Sequence, residues 1–238
     1  MIIENQIAVI TGAGKGIGEA IAYGLAEMSY QTVLIGRTRK SLEQVSEEIV
    51  NNGGLAPAIF QLDITDTAKM KEIVKTIVAE FGRIDVLVNN AGVYFDGTLE
   101  ISESNFQTMI NTNLTAQFNL TKEIVPVMKK QKSGYIFNIA SRSGKIGFAG
   151  SGAYCASKFG MLGFSESLYR ELSPQGIKVT ALCPGWVNTQ MAYEAGTPLR
   201  PEEMIQTEDL FKTINWLLEL SPAACVKEVV IEAPLSIS

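Results

Sequence analysis

A single doubly wound α/β domain, built on a seven-stranded, mostly parallel sheet with helices on both faces, is the fold class that three observations predict. Short apolar runs alternate regularly with longer amphipathic segments. The runs Ile7-Ala8-Val9-Ile10 and Val86-Leu87-Val88 are apolar throughout, as strands covered on both faces are. A cluster of glycines stands where the first such run passes into the first amphipathic segment. Parallel neighbours need crossovers, so regular β-α alternation implies helices laid over the sheet.

In chain order, strands are expected at 7–11, 32–36, 56–62, 84–89, 134–140, 178–183 and 226–231. Helices are expected between them at 16–28, 40–51, 67–81, 102–130, 152–172 and 208–219. One such sheet takes up the whole span 1–238, and no linker, repeat or low-complexity block interrupts it. Residues 188–206, with Gly196, Pro198 and Pro201, show no clear period and are expected to form a short substrate-side loop or lid.

Hydrophobic residues make up 46% of the 238 and charged residues 19%, enough for a large core and too little charge for disorder. A net charge of −5 argues against a nucleic-acid-binding face, which needs clustered Lys and Arg. No apolar run approaches the roughly 18 residues of a membrane span, and no charged-then-apolar leader opens the chain. Neither nucleic acid nor membrane is therefore expected as a partner, and a cytoplasmic location is. Cys155, Cys183 and Cys225 have neither metal-ligand nor disulfide spacing, so reduced, mostly packed thiols and no metal are expected. Histidine is absent, which removes Ser-His-Asp and Cys-His catalysis and His-ligated zinc. An enzyme of this composition must draw its acid/base group from a carboxylate, Tyr, Lys or Cys.

Thr11-Gly12-Ala13-Gly14-Lys15-Gly16-Ile17-Gly18 joins the first strand to the first helix. Glycine lets backbone approach a ligand closely, and the helix N-terminus that follows offers unpaired N–H groups to phosphate. In this context the turn predicts a Rossmann-type dinucleotide site. A P-loop does not fit, because Lys15 is followed by Gly16 instead of Ser or Thr. A tight turn that binds nothing is the other alternative, and so many glycines make it costly in chain entropy. The second strand ends in Gly36-Arg37, without the acid that would hold a ribose 2′-hydroxyl. A guanidinium can hold a 2′-phosphate through two hydrogen bonds, and Lys15 adds a second cation. NADP(H) is thus expected over NAD(H), unless Arg37 and Lys15 are plain solvated charges.

Ala153-Tyr154-Cys155-Ala156-Ser157-Lys158 opens a helical segment, so Tyr154 and Lys158 share a face. A phenol with a pKa of about 10 is a poor base at neutral pH, and a nearby ammonium is expected to lower that value. Alone, such a pair is more often a plain surface pair.

With these residues in place, the sequence resembles the short-chain dehydrogenase/reductase family, in order and spacing, from about residue 7 to residue 189. The Thr-Gly-x-x-x-Gly-x-Gly turn, Asn89-Asn90-Ala91-Gly92, Tyr154 with Lys158, and Pro184-Gly185 carry the resemblance. It implies hydride transfer between NADP(H) and a small-molecule carbonyl or secondary alcohol, with Tyr154 as acid/base and Lys158 lowering its pKa. Ser141, thirteen residues before Tyr154, would position the substrate oxygen. Asn113, with Asn111 as a near alternative, would support a water-linked proton path to Lys158.

By the same resemblance, Thr11, Gly12, Lys15, Gly16, Ile17, Gly18 and Arg37 would hold the nucleotide end of the cofactor. Asp63 would contact its adenine side, unless it caps the next helix, for which Asp66 is better placed. Asn90, Ala91 and Gly92 would line the ribose region. Pro184, Gly185, Val187 and Thr189 would face the nicotinamide end, with Tyr154 and Lys158 beside it. Tyr94, Phe95, Phe148, Trp186 and Tyr193 are candidates to shape the substrate pocket or simply to pack. Bacterial 3-oxoacyl-thioester reductases are the nearest subgroup, and the helices at 102–130 and 152–172 imply a homodimer or homotetramer. The tail Val229-Val230-Ile231-Glu232-Ala233-Pro234-Leu235 lacks the family's Gly-Gly element. A catalytically idle NADP-binding regulator and an epimerase or dehydratase of related fold are the alternatives. The intact Ser141, Tyr154 and Lys158 speak against the first, and the glycine spacing against the second.

Overall fold

The computed structural model describes residues 6–237. Residues 1–5, on which the expectation of no leader falls, lie outside the described residues. The strands are β1 (Ile7–Thr11), β2 (Gln31–Gly36), β3 (Ala58–Gln61), β4 (Val86–Asn89), β5 (Gly134–Ile139), β6 (Ile177–Pro184) and β7 (Glu228–Ile231). They form one sheet in the order β3-β2-β1-β4-β5-β6-β7, with every neighbouring pair parallel. The sheet is therefore wholly parallel where the sequence predicted mostly parallel, and β3 and β7 are each two residues shorter at the N-terminal end than expected.

Side chains alternate across a strand, so the continuously apolar β1 feeds two cores. Val9 packs with Leu87, Ile136 and Val179 on one face, beneath α3 (Thr67–Phe81) and α5 (Ala116–Gln131). Ile10 packs with Val88 and Phe137 on the other, beneath α1 (Gly16–Glu27), α2 (Arg39–Asn51) and α8 (Thr207–Glu219). Burial of each such side chain contributes about 1.5–3 kcal/mol. From β1 the chain runs outwards to β2 and β3, then returns to lay β4 on the other side of β1. That reversal opens a crevice beyond the carboxyl ends of β1 and β4, the place where open parallel sheets bind ligands.

Two expectations change. The helix expected at 102–130 is interrupted: α4 (Glu103–Ile110) passes through a π-helical turn, Asn111–Thr115, into α5. The buried Asn113 amide explains the interruption, because it bonds both backbone groups of Val93, accepting from N–H at 2.8 Å and donating to C=O at 2.9 Å. Such bulges shift a helix's register locally and recur at functional sites. The segment expected to be irregular at 188–206 contains α7 (Gln190–Glu194) and a 3₁₀ turn, Pro201–Glu203, and is pinned by a parallel bridge between Val187 and Ile205. The remaining long helix, α6 (Gly152–Leu172), packs against β6. The three cysteines are unpaired, with Cys155 and Cys183 buried. Among the described residues no helix is long and apolar enough to cross a membrane.

Candidate active site

The crevice is a cavity of about 730 Å³, within the usual range for cofactor and substrate sites. At its nucleotide end lie Thr11, Gly12, Lys15, Gly16 and Ile17 from the glycine turn, with Arg37 after β2 and Asp63 after β3. Gly12 has φ +64°, and a Cβ there would stand 2.9 Å from Asn90 Nδ2. Any side chain would thus both strain the backbone and crowd the brace behind it. Lys15 is the N-cap of α1 and provides no side-chain cap; the Gly16 N–H donates instead to Glu19 Oε2 at 3.1 Å, and the helix N-terminus borders the cavity. This arrangement fits a ligand with an anionic middle, and Lys15 and Arg37 supply cations for further phosphate.

Gly18 does not line the cavity. A Cβ on it would come 2.3 Å from the Gly12 carbonyl oxygen, so this glycine lets α1 pack against the turn. The Asn90 amide donates to the Thr11 carbonyl at 2.9 Å, and the Thr11 hydroxyl accepts from the backbone N–H groups of Asn90 and Ala91. Thr11 and Asn90 therefore lock the end of β1 to the end of β4, with Ala91 and Gly92 lining the middle of the cavity. Asp63 Oδ1 accepts from the Thr65 hydroxyl at 2.7 Å and its N–H at 3.0 Å. Those bonds, with the Arg37 guanidinium acting in the same direction, hold the Asp63 carboxyl below its ordinary pKa. Asp66 caps α3 by accepting from Lys69 N–H at 3.0 Å, as expected. Thr38 and Ser41 also line this end and were missed; their only signal was a polar stretch directly after Arg37.

At the other end, Ser141 follows β5, Tyr154 and Lys158 come from α6, and Pro184, Gly185, Val187 and Thr189 come from the end of β6 and the loop after it. Ser141 Oγ accepts from Ser143 N–H at 3.1 Å and donates weakly to the Pro184 carbonyl at 3.5 Å. Lys158 is buried, and its ammonium donates to the Ile139 carbonyl at 2.9 Å. It lies 5.6 Å from the centre of the Tyr154 ring.

The expectation that Lys158 lowers the Tyr154 pKa is not met in this geometry. Burial pushes the Tyr154 phenol up to about 12, against a downward pull from Ser141. Burial also pushes the Lys158 ammonium down to about 8. Desolvation penalises the charged form of each group and is the largest cause of both shifts.

Asn113 stands behind the cavity wall and not in it. Its amide joins Val93 to Ser157, donating to Ser157 Oγ at 3.1 Å, one residue from Lys158. Of the aromatic candidates, Tyr94, Phe148 and Trp186 line the cavity, whereas Phe95 and Tyr193 do not. Arg142, Ser151 and Gln190 line it and carried no sequence signal.

Residues 6–199 match the model of the short chain dehydrogenase family. Among solved structures, a betaketoacyl-ACP reductase (FabG) from Bacteroides thetaiotaomicron is 47% identical, with a TM-score of 0.87 over 98% of this chain and 99% of that one. A metagenomic short-chain oxidoreductase in complex with NADP is 32% identical, with a TM-score of 0.84 over 97% and 98% of the two chains. A 3-oxoacyl-acyl-carrier-protein reductase from Synechocystis is 39% identical over 191 residues, which is 79% of this chain and 77% of that protein.

Proposed function

The chain belongs to the short-chain dehydrogenase family, and from that premise we propose that it passes hydride between NADP(H) and a carbonyl or secondary alcohol, with 3-oxoacyl thioesters as the substrate class. The observation that carries this reading is the convergence of Ser141, Tyr154 and Lys158 on one end of a cavity whose other end holds Lys15 and Arg37. The substrate class rests on the similarity to two 3-oxoacyl reductases, and the choice of NADP(H) on Arg37 and on the relative solved with NADP.

The dinucleotide, when bound, supplies the hydride. Lys15 and Arg37, with the hydroxyls of Thr38 and Ser41, would hold a 2′-phosphate, and the N-terminus of α1 would receive the pyrophosphate. Asp63 would meet the adenine side, and Gly185, Val187 and Thr189 would border the nicotinamide. Ser141 Oγ donates a hydrogen bond to the substrate oxygen, where negative charge develops as hydride arrives. Tyr154 gives that oxygen a proton. A phenol held near pKa 12 is protonated at neutral pH and so can give the proton that carbonyl reduction needs. Lys158 would fix the nicotinamide ribose, while Asn113 braces the wall from behind through Val93 and Ser157.

In this reading the whole chain works as one domain, and the segment 188–206 is a short lid whose α7 contributes Gln190, Met191 and Ala192 to the cavity. The exposed Phe106, Phe118 and Phe159, on α4, α5 and α6, support pairing with further copies of the chain as a dimer or tetramer. NADPH consumption against aldehydes, ketones and 3-oxoacyl thioesters, with NADH in parallel, tests the proposal. Turnover should be fastest with thioesters and NADPH. No turnover across the panel would overturn the function, and faster turnover with NADH would overturn the cofactor.

A further inference from the structure

Two ion pairs tie the turn that carries Ser141 to the C-terminal segment. Arg142 Nη1 donates to Glu232 Oε1 at 3.1 Å and to the Ser236 carbonyl at 2.6 Å. Lys145 Nζ donates to Glu228 Oε1 at 2.7 Å. The Arg142 and Glu232 side chains are 14% and 28% exposed, so solvent and salt screen this pair less than a surface one. The guanidinium carbon also lies 4.9 Å above the centre of the Phe148 ring, close enough for the cation to be attracted to the ring face.

Arg142 and Phe148 both line the cavity, and Arg142 directly follows Ser141. The backbone completes the bracket: Gly185 N–H donates to the Ile231 carbonyl at 2.8 Å, next to the Pro184 carbonyl that faces Ser141 Oγ. Glu232 stands in the tail that departs from the Gly-Gly pattern and lies beyond the matched residues 6–199.

We infer that Arg142 is a positioning residue that fastens the Ser141 turn and the Phe148 wall to the C-terminal segment through Glu232 and the Ser236 carbonyl. The inference rests on the proposed role of Ser141 as the group that meets the substrate oxygen. The turn itself is small, residues Arg142–Gly144, and is held from within only by short-range bonds such as Gly144 N–H to the Ser141 carbonyl at 2.9 Å. The long-range tie adds a second anchor to the weak bond from Ser141 Oγ to the Pro184 carbonyl and to the packing of the turn on α6, and displacements of about 1 Å at a reacting group can cost about a hundredfold in rate.

The test uses the full chain as Arg142→Met, Glu232→Gln and Arg142→Lys. With a 3-oxobutanoyl thioester and NADPH, the first two should lower kcat about tenfold, equivalent to about 1.4 kcal/mol, with little change in KM. NADPH affinity should stay within about twofold, since neither residue lies at the nucleotide end. One nitrogen of Arg142 serves both acceptors, so an ammonium can replace it, and Arg142→Lys should recover most of the rate. Unchanged kcat in the first two variants, or no recovery in the third, overturns the inference.

A second measurement does not depend on turnover. Backbone hydrogen exchange at Ser143, Gly144 and Lys145 should quicken in Glu232→Gln, while exchange at Val9 and Ile10 in the core stays as it was. Unaltered exchange in the turn overturns the inference. An unmodified chain that turns over no carbonyl overturns the proposed function instead and leaves the exchange result to decide this one.

Discussion

The ring of Tyr94 meets the ring of Tyr154 edge-on, with centroids 5.2 Å apart and planes at 73°. Its hydroxyl is anchored in turn, donating to Asp96 Oδ1 at 3.0 Å and pairing with Ser151 Oγ at 3.1 Å. The loop after β4 thereby supports the phenol on α6. Edge-to-face pairs contribute about 0.5–1.5 kcal/mol beyond burial, which corresponds to roughly two- to tenfold in rate if it serves to orient Tyr154. Tyr94→Ala should lower kcat towards the upper end of that range, and Tyr94→Phe, which keeps the ring, by much less. Equal losses in the two variants would assign the effect to the hydroxyl and not to the ring contact.

Tyr154→Phe should retain NADPH binding and lose turnover by about 10²–10⁴-fold, the usual contribution of a positioned acid/base group. With the Tyr154 phenol near 12, carbonyl reduction by the unmodified chain should not fall through loss of this proton below about pH 11. Oxidation of the alcohol needs the phenolate, so its kcat/KM should climb steadily from neutral to alkaline pH. An oxidation rate independent of pH over that range would remove Tyr154 from the role of base.

Lys158 makes a prediction about stability. Burial lowers its pKa from 10.5 to about 8, so between those values the unfolded chain binds the extra proton and the folded one does not. Stability from this group therefore rises as pH rises from about 8 towards 10.5, and the cost of burying the ammonium is fully present below about 8. Chemical denaturation of the unmodified chain against Lys158→Met, followed from pH 7 to pH 9.5, should show the unmodified chain gaining on the variant. A constant difference between the two would mean that the ammonium is not desolvated in the folded state.

Arg37→Glu should weaken NADPH binding by about ten- to a hundredfold, the worth of a charge-assisted hydrogen bond lost and a repulsion gained. NADH, which has no 2′-phosphate, should bind the variant nearly as before. Direct titration of both nucleotides checks this, and parallel losses would place Arg37 away from the 2′-phosphate.

The strands were legible in the sequence because a parallel strand buried on both faces must be apolar at consecutive positions, as Val9 and Ile10 are. The glycine turn and the spacing of Tyr154 and Lys158 were legible for the same reason: each is a local pattern read within one turn of chain. Gly18 was read as a cofactor contact because its motif says only that a side chain is excluded there. The excluding atom proved to be the Gly12 carbonyl oxygen. Asn113 was singled out by resemblance for a proton path, and no periodicity reveals that a π-helical turn sets it behind the wall to hold Val93.

Chain order and residue type thus determined the α/β architecture, the family resemblance and the spacing of the proposed acid/base pair, since these depend on patterns a few residues long. Tertiary structure alone decided the protonation bias of that pair, because desolvation depends on everything packed around Tyr154 and Lys158 and not on their spacing. It also decided what holds the Ser141 turn. Arg142 and Glu232 stand 90 residues apart, and only the parallel pairing of β5, β6 and β7 brings the two charges within hydrogen-bonding distance.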